Sequence, residues 1–305
     1  MKDRPLVSVI INNYNYGRFL RNAIDSALNQ TYPHTEVIVV DDGSTDNSRE
    51  IIASYGNQIV PVLKENGGQA SAFNAGFAAS RGDIICILDS DDIFLPEKVV
   101  EVVNVFSARQ DIGWCFHSLR VVNIDTGALL KVSPKSSSQE CDFRLQIKTR
   151  GKLTCPQPAT SGLCFTRSLL QLMLPMPEAK RVSIGDHYLR LMSSALSKGF
   201  FLAQELAIQK VHSDNAFTLR GDKQQLGARI YILTAHWTRI KLPVLEKFTN
   251  KLFAAGVGVY WHTGGVETEY KEVVKTYLSS VSLPERLEIH LRALYHYLKK
   301  TAVQN

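Results

Sequence analysis

The sequence predicts an α/β fold with a mostly parallel central sheet, helices on both of its faces, and a mainly helical C-terminal region. Over the first hundred residues, short apolar runs rich in β-branched side chains alternate with segments of helical period. The connections between these segments are short, which favours right-handed βαβ units and a sheet covered on both faces. From residue 220 onward the helical period dominates and positive charge accumulates.

The first hundred residues contain four predicted strands, at 6–11, 36–40, 59–63 and 83–88. Helices are predicted between and after them, at 18–30, 46–55, 69–80 and from Pro96 onward. A proline suits the first turn of a helix, where its missing N–H costs no hydrogen bond. Pro61 predicts that the third strand lies at an edge of the sheet, because proline cannot donate to the ladder.

The pattern is looser after residue 110. Strands are predicted at 112–118, 120–124, 200–203 and 206–212, a helix at 185–199, and a polar loop at 131–140. Residues 1–219 contain 22 basic and 22 acidic side chains, whereas residues 220–305 contain 13 and 7. Because the whole excess of +6 lies in the second region, we expect two domains, 1–219 and 220–305. The first should consist of two halves, about 1–110 and 111–219.

The composition is that of a soluble protein, with 45% hydrophobic and 21% charged residues. No apolar stretch approaches the roughly 18–20 residues that span a bilayer, and a secretory signal is not expected. The five cysteines are scattered and never spaced as CxxC, which favours buried thiols over disulfides or zinc. We therefore expect a cytoplasmic protein, and the basic region contains no recognisable nucleic-acid-binding module.

Three polar clusters follow predicted strands, at 12–15, 41–44 and 89–92. Each cluster alone is also what an ordinary turn contains. Together they predict one ligand crevice, because ligands of open α/β sheets bind beyond the carboxyl ends of the strands. In the third cluster Asp89, Asp91 and Asp92 repel one another, and a Mg²⁺ or Mn²⁺ ion bound to a diphosphate would offset that repulsion.

Five segments in order resemble the family 2 inverting glycosyltransferases of the GT-A fold: "PLVSVIINNYN", "EVIVVDDGSTDNS", "ENGGQASAFNAG", "RGDIICILDSDD" and "IGDHYL". The resemblance covers about residues 5–215 and implies a Rossmann-like GT-A domain. It implies a nucleotide-diphosphate sugar donor, usually UDP-linked, a divalent metal, and transfer of a hexosyl or N-acetylhexosaminyl unit to a hydroxyl acceptor. Related enzymes often build cell-surface polysaccharides on glycan or lipid-linked acceptors.

The resemblance also implies roles for single residues. Those implied in nucleotide-sugar binding are Asn12, Tyr14, Asn15, Asp42, Gln69, Asn74, Asp89 and Ser90. Asp42 should accept a hydrogen bond from the uracil N3–H, a role that suits an acceptor-only carboxylate. The implied metal ligands are Asp91, Asp92 and His212, and which acid of the Asp cluster is the main ligand stays open. Asp186 stands at the position of the catalytic base.

Several of these residues have a structural alternative. Asp186 at a helix start could be only a cap, and His212 an ordinary polar contact. Phe73 stands where relatives often have an arginine that reaches the nucleotide, so a dTDP-sugar donor stays open beside UDP. Helix packing also explains Phe73. The segment 157–168 resembles the acceptor side of the family.

Two other functions stay open beside glycosyl transfer. The chain could bind a nucleotide-sugar without turnover, although it retains Asp42, Asp91 and Asp186. It could also be a metal-dependent nucleotidyltransferase or phosphohydrolase, but no GxxxxGK[ST] phosphate loop is present.

The basic C-terminal region contains a predicted amphipathic helix at 285–300. Its apolar side consists of Leu287, Leu291, Leu294, Tyr295 and Leu298. This pattern leaves two roles open. The helix could contact the inner face of the membrane peripherally, or its apolar side could pack on the catalytic domain or on a second subunit in a homo-oligomer.

Overall fold

The computed structural model describes residues 4–131, 137–151, 153, 158–178, 185–212, 215 and 221–304. The chain forms two compact units. The α/β unit comprises Met1–Phe143 and Cys155–Asn215, and the helical unit comprises Arg144–Thr154 and Ala216–Asn305. The predicted boundary at 219 lies close to the second division, but residues 144–154 were predicted in the first domain and belong to the helical unit. Parts of the predicted polar loop and of the 157–168 segment lie outside the described residues.

The predicted strands and helices occur in the predicted order, and several short elements that the sequence did not predict lie between them. The strands are β1 (Val7–Asn13), β2 (Thr35–Asp42), β3 (Val60–Lys64), β4 (Ile84–Asp89), β5 (Ile93–Phe94), β6 (Ile112–Asn123), β7 (Leu129–Lys131), β8 (Gln139–Cys141), β9 (Leu163–Thr166) and β10 (Lys198–Val211). The helices are α1 (Gly17–Leu28), α2 (Ser48–Ser54), α3 (Gln69–Ala79), α4 (Lys98–Ala108), α5 (Arg144–Arg150), α6 (Arg167–Met173), α7 (Gly185–Leu196), α8 (Lys223–Lys241), α9 (Glu246–His262), α10 (Thr268–Ser279) and α11 (Leu283–Gln304).

One mixed sheet organises the α/β unit, in the order β3-β2-β1-β4-β9-β6-β10-β5. The first four of these strands are parallel to one another, and β6 is parallel to β10. β9 runs antiparallel between β4 and β6. The prediction of a mostly parallel sheet is confirmed, and so is the edge position that Pro61 predicted for β3.

Two pairs of predicted strands are single long strands. β6 (Ile112–Asn123) spans 112–118 and all but the last residue of 120–124, and β10 (Lys198–Val211) spans 200–203 and all but the last residue of 206–212. Exposed polar residues interrupt each apolar run, but the backbone ladder between β6 and β10 continues through them with shifts of register near Glu205. Ladder hydrogen bonds come from the main chain, so a polar side chain need not end a strand.

Alternation of side chains decides which polar residues meet on the sheet. Alternate residues of β1 belong to the core cluster that also contains residues of α1 and α4. On the opposite face α3 packs so closely that a Cβ on Gly76 would come within 2.6 Å of Ile10. Asn12 lies on the same face as Ile10, and its neighbour across the sheet is Asp89. Asn12 and Asp89 therefore lie on the α3 face, where the strands end.

The C-terminal region is helical, as predicted, and has a core of its own. α8, α9, α10 and α11 bury a common set of apolar side chains. At its centre Phe253 stacks on Tyr277 with ring centroids 3.9 Å apart, and the Tyr277 hydroxyl donates to Asn250 at 2.8 Å. α5 joins this unit by packing against α9, where Lys251 donates to the carbonyl of Arg150. Within the described part of the chain, no helix has both the length and the apolar character needed to cross a bilayer.

The cysteine prediction is confirmed for the residues that the structure describes. Cys86, Cys115, Cys141 and Cys164 are buried and form no disulfide. Cys155 lies outside the described residues. Cys86, Cys115 and Cys164 belong to the apolar core, and Cys141 ends β8. Because each thiol lies on a different strand, their spacing along the chain is scattered.

We predict that Gly199→Ala strongly destabilises the α/β unit. An added Cβ would lie 1.9 Å from the fully buried ring of Trp114, which stacks on Phe116 and has no room to move. Overpacking of this kind costs about 1–3 kcal/mol of unfolding free energy, measurable by urea denaturation. The matched control is Gly227→Ala, whose Cβ meets nothing within 4 Å. Equal stability of the two variants would contradict the packing around Trp114.

Candidate active site

The three predicted polar clusters meet at one edge of the sheet. β1 ends at Asn13, β2 at Asp42 and β4 at Asp89, and these strands are parallel and adjacent. Their carboxyl ends therefore point to the same side, which is where ligands bind in open α/β sheets. The predicted meeting of the three clusters beyond the carboxyl ends of the strands is confirmed.

Asp91 and His212 come together although 121 positions separate them in the chain. His212 directly follows β10, and its Nε2 lies 3.2 Å from Oδ2 of Asp91. Asn215 Nδ2 donates to the same oxygen at 3.1 Å. The imidazole is 2% exposed and the Asp91 side chain 15% exposed, so the pair is largely shielded from water.

Two cations beside this pair were missed by the sequence reasoning. Nη2 of Arg18 lies 3.4 Å from Nδ1 of His212. Because a guanidinium only donates, Nδ1 accepts there, and the ring proton is left on Nε2, facing Asp91; Nε2 would have to lose this proton to ligate a metal ion. Lys210 lies near Asp91 and Asp92. Burial lowers the pKa of Lys210, against the raising effect of the two carboxylates. A usable signal was present, since Lys210 precedes His212 by two and so shares its side of the strand.

Asp92 has a different environment from Asp91. It is 2% exposed, and its two oxygens accept hydrogen bonds from Ser161 Oγ at 2.6 Å and from the Lys210 backbone N–H at 3.0 Å. Burial, then the charges of Asp91 and Asp89, hold the pKa of Asp92 well above its usual range. These bonds tie the segment after β4 to the 3₁₀ turn at Thr160–Gly162 and to β10. Both oxygens therefore already have partners within the protein.

Asp89 is surrounded by groups that oppose its ionisation. Burial, followed by the neighbouring charge of Asp91, raises the pKa of Asp89 to about 8, against the lowering effect of a hydrogen bond from Thr160. The charge of Asp186 adds to this rise, which places the predicted base within electrostatic reach of the cluster. A divalent cation among these carboxylates would lower the pKa again, because it favours the ionised form.

Asp186 lies in the first turn of α7 and is held from two sides. Oδ2 is 3.0 Å from Nη1 of Arg190, one helical turn later, and Oδ1 accepts from the backbone N–H of His187 at 2.6 Å. Gln69, the first residue of α3, accepts from the backbone N–H of Gly185 at 3.3 Å. The starts of α3 and α7 are therefore joined, which brings two distant motifs together.

Asp42 anchors the loop before α3. Its carboxylate accepts from the backbone N–H groups of Gly67 at 2.9 Å and Gly68 at 2.7 Å, and Lys64 Nζ is 2.7 Å away. Its sequence neighbour Asp41 points to the opposite face and binds Arg49 of α2 at 2.9 Å. The adjacent acids thus serve different sides of the sheet.

The turn after β1 is tied to the turn after β2. Asn15 has a positive φ of 57°. Its N–H donates to Ser44 Oγ at 2.9 Å, and its Oδ1 accepts from the N–H of Thr45 at 2.8 Å. Between β1 and this residue, Tyr14 is 47% exposed, as a side chain at the surface of a crevice would be.

The remaining predicted residues have varied environments. The buried Oδ1 of Asn12 has no hydrogen-bond partner, and Ser90 is buried. Asn74 is engaged elsewhere: its amide donates to the carbonyl of Met176 and accepts from the same residue's N–H, each at 2.8 Å. Phe73 is almost fully buried, in agreement with helix packing.

The residues present fit a divalent metal bound together with a diphosphate. Across the described ranges, no group of three or more His, Cys, Asp and Glu side chains is arranged to enclose a metal ion. Asp91 and His212 nevertheless provide one carboxylate and one imidazole in contact. Mg²⁺ and Mn²⁺ commonly take only one or two protein ligands and fill the other positions with substrate phosphates and water.

The comparisons with known proteins bear on the family and the fold of this chain. The model of the family described as glycosyl transferase family 2 matches residues 8–159. An uncharacterized glycosyltransferase of Nostoc sp. is 36% identical over 213 residues, which is 68% of this chain and 66% of that protein. About a third of that relative therefore lies outside the match.

Two solved structures resemble the whole chain. Staphylococcus aureus TarS 1–349 in complex with UDP-GlcNAc has a TM-score of 0.64 at 16% identity and covers 96% of this chain and 89% of its own. The mannosyltransferase PcManGT from Pyrobaculum calidifontis, in complex with GDP-Man and Mn²⁺, has a TM-score of 0.54 at 19% identity, covering 100% and 88%. At these identities the likeness shows the fold, which is GT-A. Motifs, fold and relatives agree: the chain belongs to glycosyltransferase family 2.

Proposed function

We propose that the protein is an inverting glycosyltransferase that moves a sugar from a nucleotide-diphosphate donor, UDP-linked, to a hydroxyl acceptor. The acceptor we propose is a glycan of cell-surface polysaccharide synthesis. The observation that carries the proposal is the pairing of Asp91 with His212, flanked by Arg18 and Lys210, within electrostatic reach of Asp186. All of these residues lie in the α/β unit, which supports the proposal.

Asp91 and His212 would hold Mn²⁺ or Mg²⁺, and the ion would stabilise the negative charge of the departing diphosphate. Lys210 and Arg18 are the nearby cations that would share that charge. Asp92 is better assigned a structural role, because its two oxygens already accept hydrogen bonds from Ser161 and from the Lys210 backbone. Of the acids in the cluster, we therefore propose Asp91 as the main ligand.

Asp186 would act as the general base, taking a proton from the acceptor hydroxyl at a carboxylate oxygen. The deprotonating oxygen attacks C1 of the sugar from the side opposite the diphosphate, which inverts the anomeric centre. Arg190 pairs with this carboxylate and fixes its direction. The contact between Gln69 and Gly185 joins this base to the loop that Asp42 holds.

On the donor side, we propose Asp42 as the acceptor for the uracil N3–H. A carboxylate has about four lone-pair sites, and three protein donors leave one for a base. Tyr14 would lie beside the base, with Asn12 and Asn15 shaping the pocket. The unpartnered oxygen of Asn12 supports a ligand at this edge.

The metal proposal predicts that Asp91→Asn loses most metal-dependent binding of UDP. Isothermal calorimetry with and without Mn²⁺ should show the Mn²⁺-dependent gain in affinity fall by more than about tenfold, because a first ligand of the ion is lost. Asp125→Asn is the matched control, since Asp125 is exposed in the turn after β6. An unchanged Mn²⁺ effect in Asp91→Asn would contradict the assignment.

The metal proposal also predicts a pH dependence of stability. Without metal, folded Asp89 keeps a proton up to about pH 8, whereas its ordinary pKa is 3.8. The folded state therefore binds more protons in this window, so the unfolding free energy falls as pH rises through it. Chemical denaturation should show a smaller fall for Asp89→Asn, and Mn²⁺ should stabilise the parent more near pH 8 than near pH 4. A parent whose stability rises across the window contradicts the arrangement of these acids.

Glycosyl transfer itself predicts a selective effect of Asp186→Asn. Release of nucleoside diphosphate from a panel of nucleotide-sugars should be catalysed by the parent, and kcat should fall by about 10²–10⁴ in the variant while donor binding stays. The control is Glu50→Gln, an exposed acid that also lies in the first turn of a helix. If Asp186→Asn retains parental turnover, Asp186 has only a structural role in the first turn of α7. A parent that binds donor without turnover would favour the binding-protein alternative.

A further inference from the structure

The helix α11 exposes a continuous apolar stripe. Six of its side chains are 45–79% exposed: Leu283, Leu287, Leu291, Leu294, Tyr295 and Leu298. Their spacing of three and four residues places them along one side of the helix. Scattered exposed leucines are normal on a protein surface, but a contiguous set of this kind marks an interaction surface.

The core of the helical unit does not use this stripe. α11 packs into that core through the other side of the helix, where Ile289 and Ala293 are fully buried. Ala293 lies against α9 so closely that a Cβ on Gly258 would be 2.6 Å from its carbonyl oxygen. The stripe is therefore left facing outward from the unit that α11 helps to build.

A basic groove runs beside the stripe. Its volume is about 400 Å³, and α10 and α11 line it with Lys271, Lys275, Arg286 and His290. None of the described side chains that line it is acidic. The Nη2 of Arg286 donates to the carbonyl of Leu278 at 2.7 Å, while its buried Nε has no hydrogen-bond partner.

The groove and the stripe are neighbours on the same helix. Arg286 and His290 each precede a stripe leucine, Leu287 and Leu291, by one residue, which is a rotation of about 100°. Glu272 lies 4.0 Å from Lys275, but both side chains are more than 70% exposed, so this ion pair is weak and another anion can displace it. The surface thus has an apolar ridge, the stripe of α11, with a cationic row along its side that consists of Lys271, Lys275 and Arg286.

An aromatic pair lies farther along the same side of α11 as Arg286 and His290. Tyr297 precedes Leu298 by one residue, and its ring meets Trp261 of α9 edge to face, with centroids 6.5 Å apart. Trp261 is partly exposed. Tryptophan and tyrosine are enriched where a protein meets the boundary between lipid headgroups and acyl chains.

We propose that this surface docks on an anionic lipid bilayer. The leucine stripe would enter the boundary between headgroups and acyl chains, and the groove would take lipid phosphates, to which arginine and lysine donate strongly. Charge decides between this occupant and a second copy of the chain. A two-fold interface with the α11 helices antiparallel would bring two identical cationic rows to the same side, whereas an anionic surface is complementary to them. The inference does not depend on the transferase proposal, because every residue in it belongs to the helical unit.

The test uses the full chain and flotation with vesicles of phosphatidylglycerol and phosphatidylcholine in equal parts, compared with phosphatidylcholine alone. The parent should bind the mixed vesicles, and added salt should weaken this binding. Leu287→Gln with Leu291→Gln should lower the partition coefficient by about tenfold or more. The matched control is Leu145→Gln with Leu172→Gln, which changes two leucines that are similarly exposed elsewhere.

A second pair of variants separates the groove from net charge. Lys271→Gln with Lys275→Gln should lower binding to the mixed vesicles by about fivefold for each lysine. Lys223→Gln with Lys247→Gln removes the same charge from exposed positions outside the groove and should have a smaller effect. Equal effects would assign binding to net charge and overturn the role of the groove.

Sedimentation velocity completes the test. We expect a monomeric parent and variants with the parental melting temperature, because the substituted leucines are exposed. No binding by the parent, or full binding by the stripe variant, overturns the proposal. A parental dimer that the stripe variant dissociates would identify a second copy as the occupant and also overturn it.

Discussion

Repulsion among the carboxylates at the end of β4 is the constraint on which the rest of the α/β unit depends. Asp89, Asp91 and Asp92 stand within four residues at the end of an apolar strand, where burial and the neighbouring charges raise the pKa of Asp89 and of Asp92. Neighbouring side chains offset part of the free-energy cost of burying these acids together. The Ser161 hydroxyl donates to Asp92 and accepts from the backbone of Asp89, while His212 pairs with Asp91. The 3₁₀ turn and the end of β10 are held in place by these bonds.

Different environments give the chemically identical acids different roles. Asp92 is enclosed and fully bonded, so it behaves as a structural link between β4 and β10. Asp91 is more exposed and lies beside an imidazole and two cations, which is where a metal-bound diphosphate would be accommodated. The same principle separates Asp41 from Asp42, because alternation along β2 sends one to α2 and the other to the loop before α3.

The two units differ in how they use charge and apolar surface. In the α/β unit, the acids at the strand ends accept hydrogen bonds from neighbouring loops and from the end of β10. The helical unit satisfies its few acids with arginines, as in the pairs of Arg229 with Glu267 and Arg239 with Glu285. Its remaining basic residues include those of the groove beside the α11 stripe. This arrangement suits a surface that meets an extended anionic partner.

The sequence by itself determined the order and type of the elements from β1 to β4 and of α4, the edge position of β3, and the membership of glycosyltransferase family 2. These features depend on local periodicity, on proline chemistry and on short motifs, all of which are legible in a linear chain. The division of the chain at α5, the continuity of β6 and β10, and the partners of Asp91 were decided only by the tertiary structure. Arg18 joins His212 because α1 and the end of β10 meet in space, and no local pattern encodes a contact between residues so far apart. For the same reason, the helical period identified the apolar side of α11, but only the packing of Ile289 and Ala293 on the opposite side decided that this stripe faces outward.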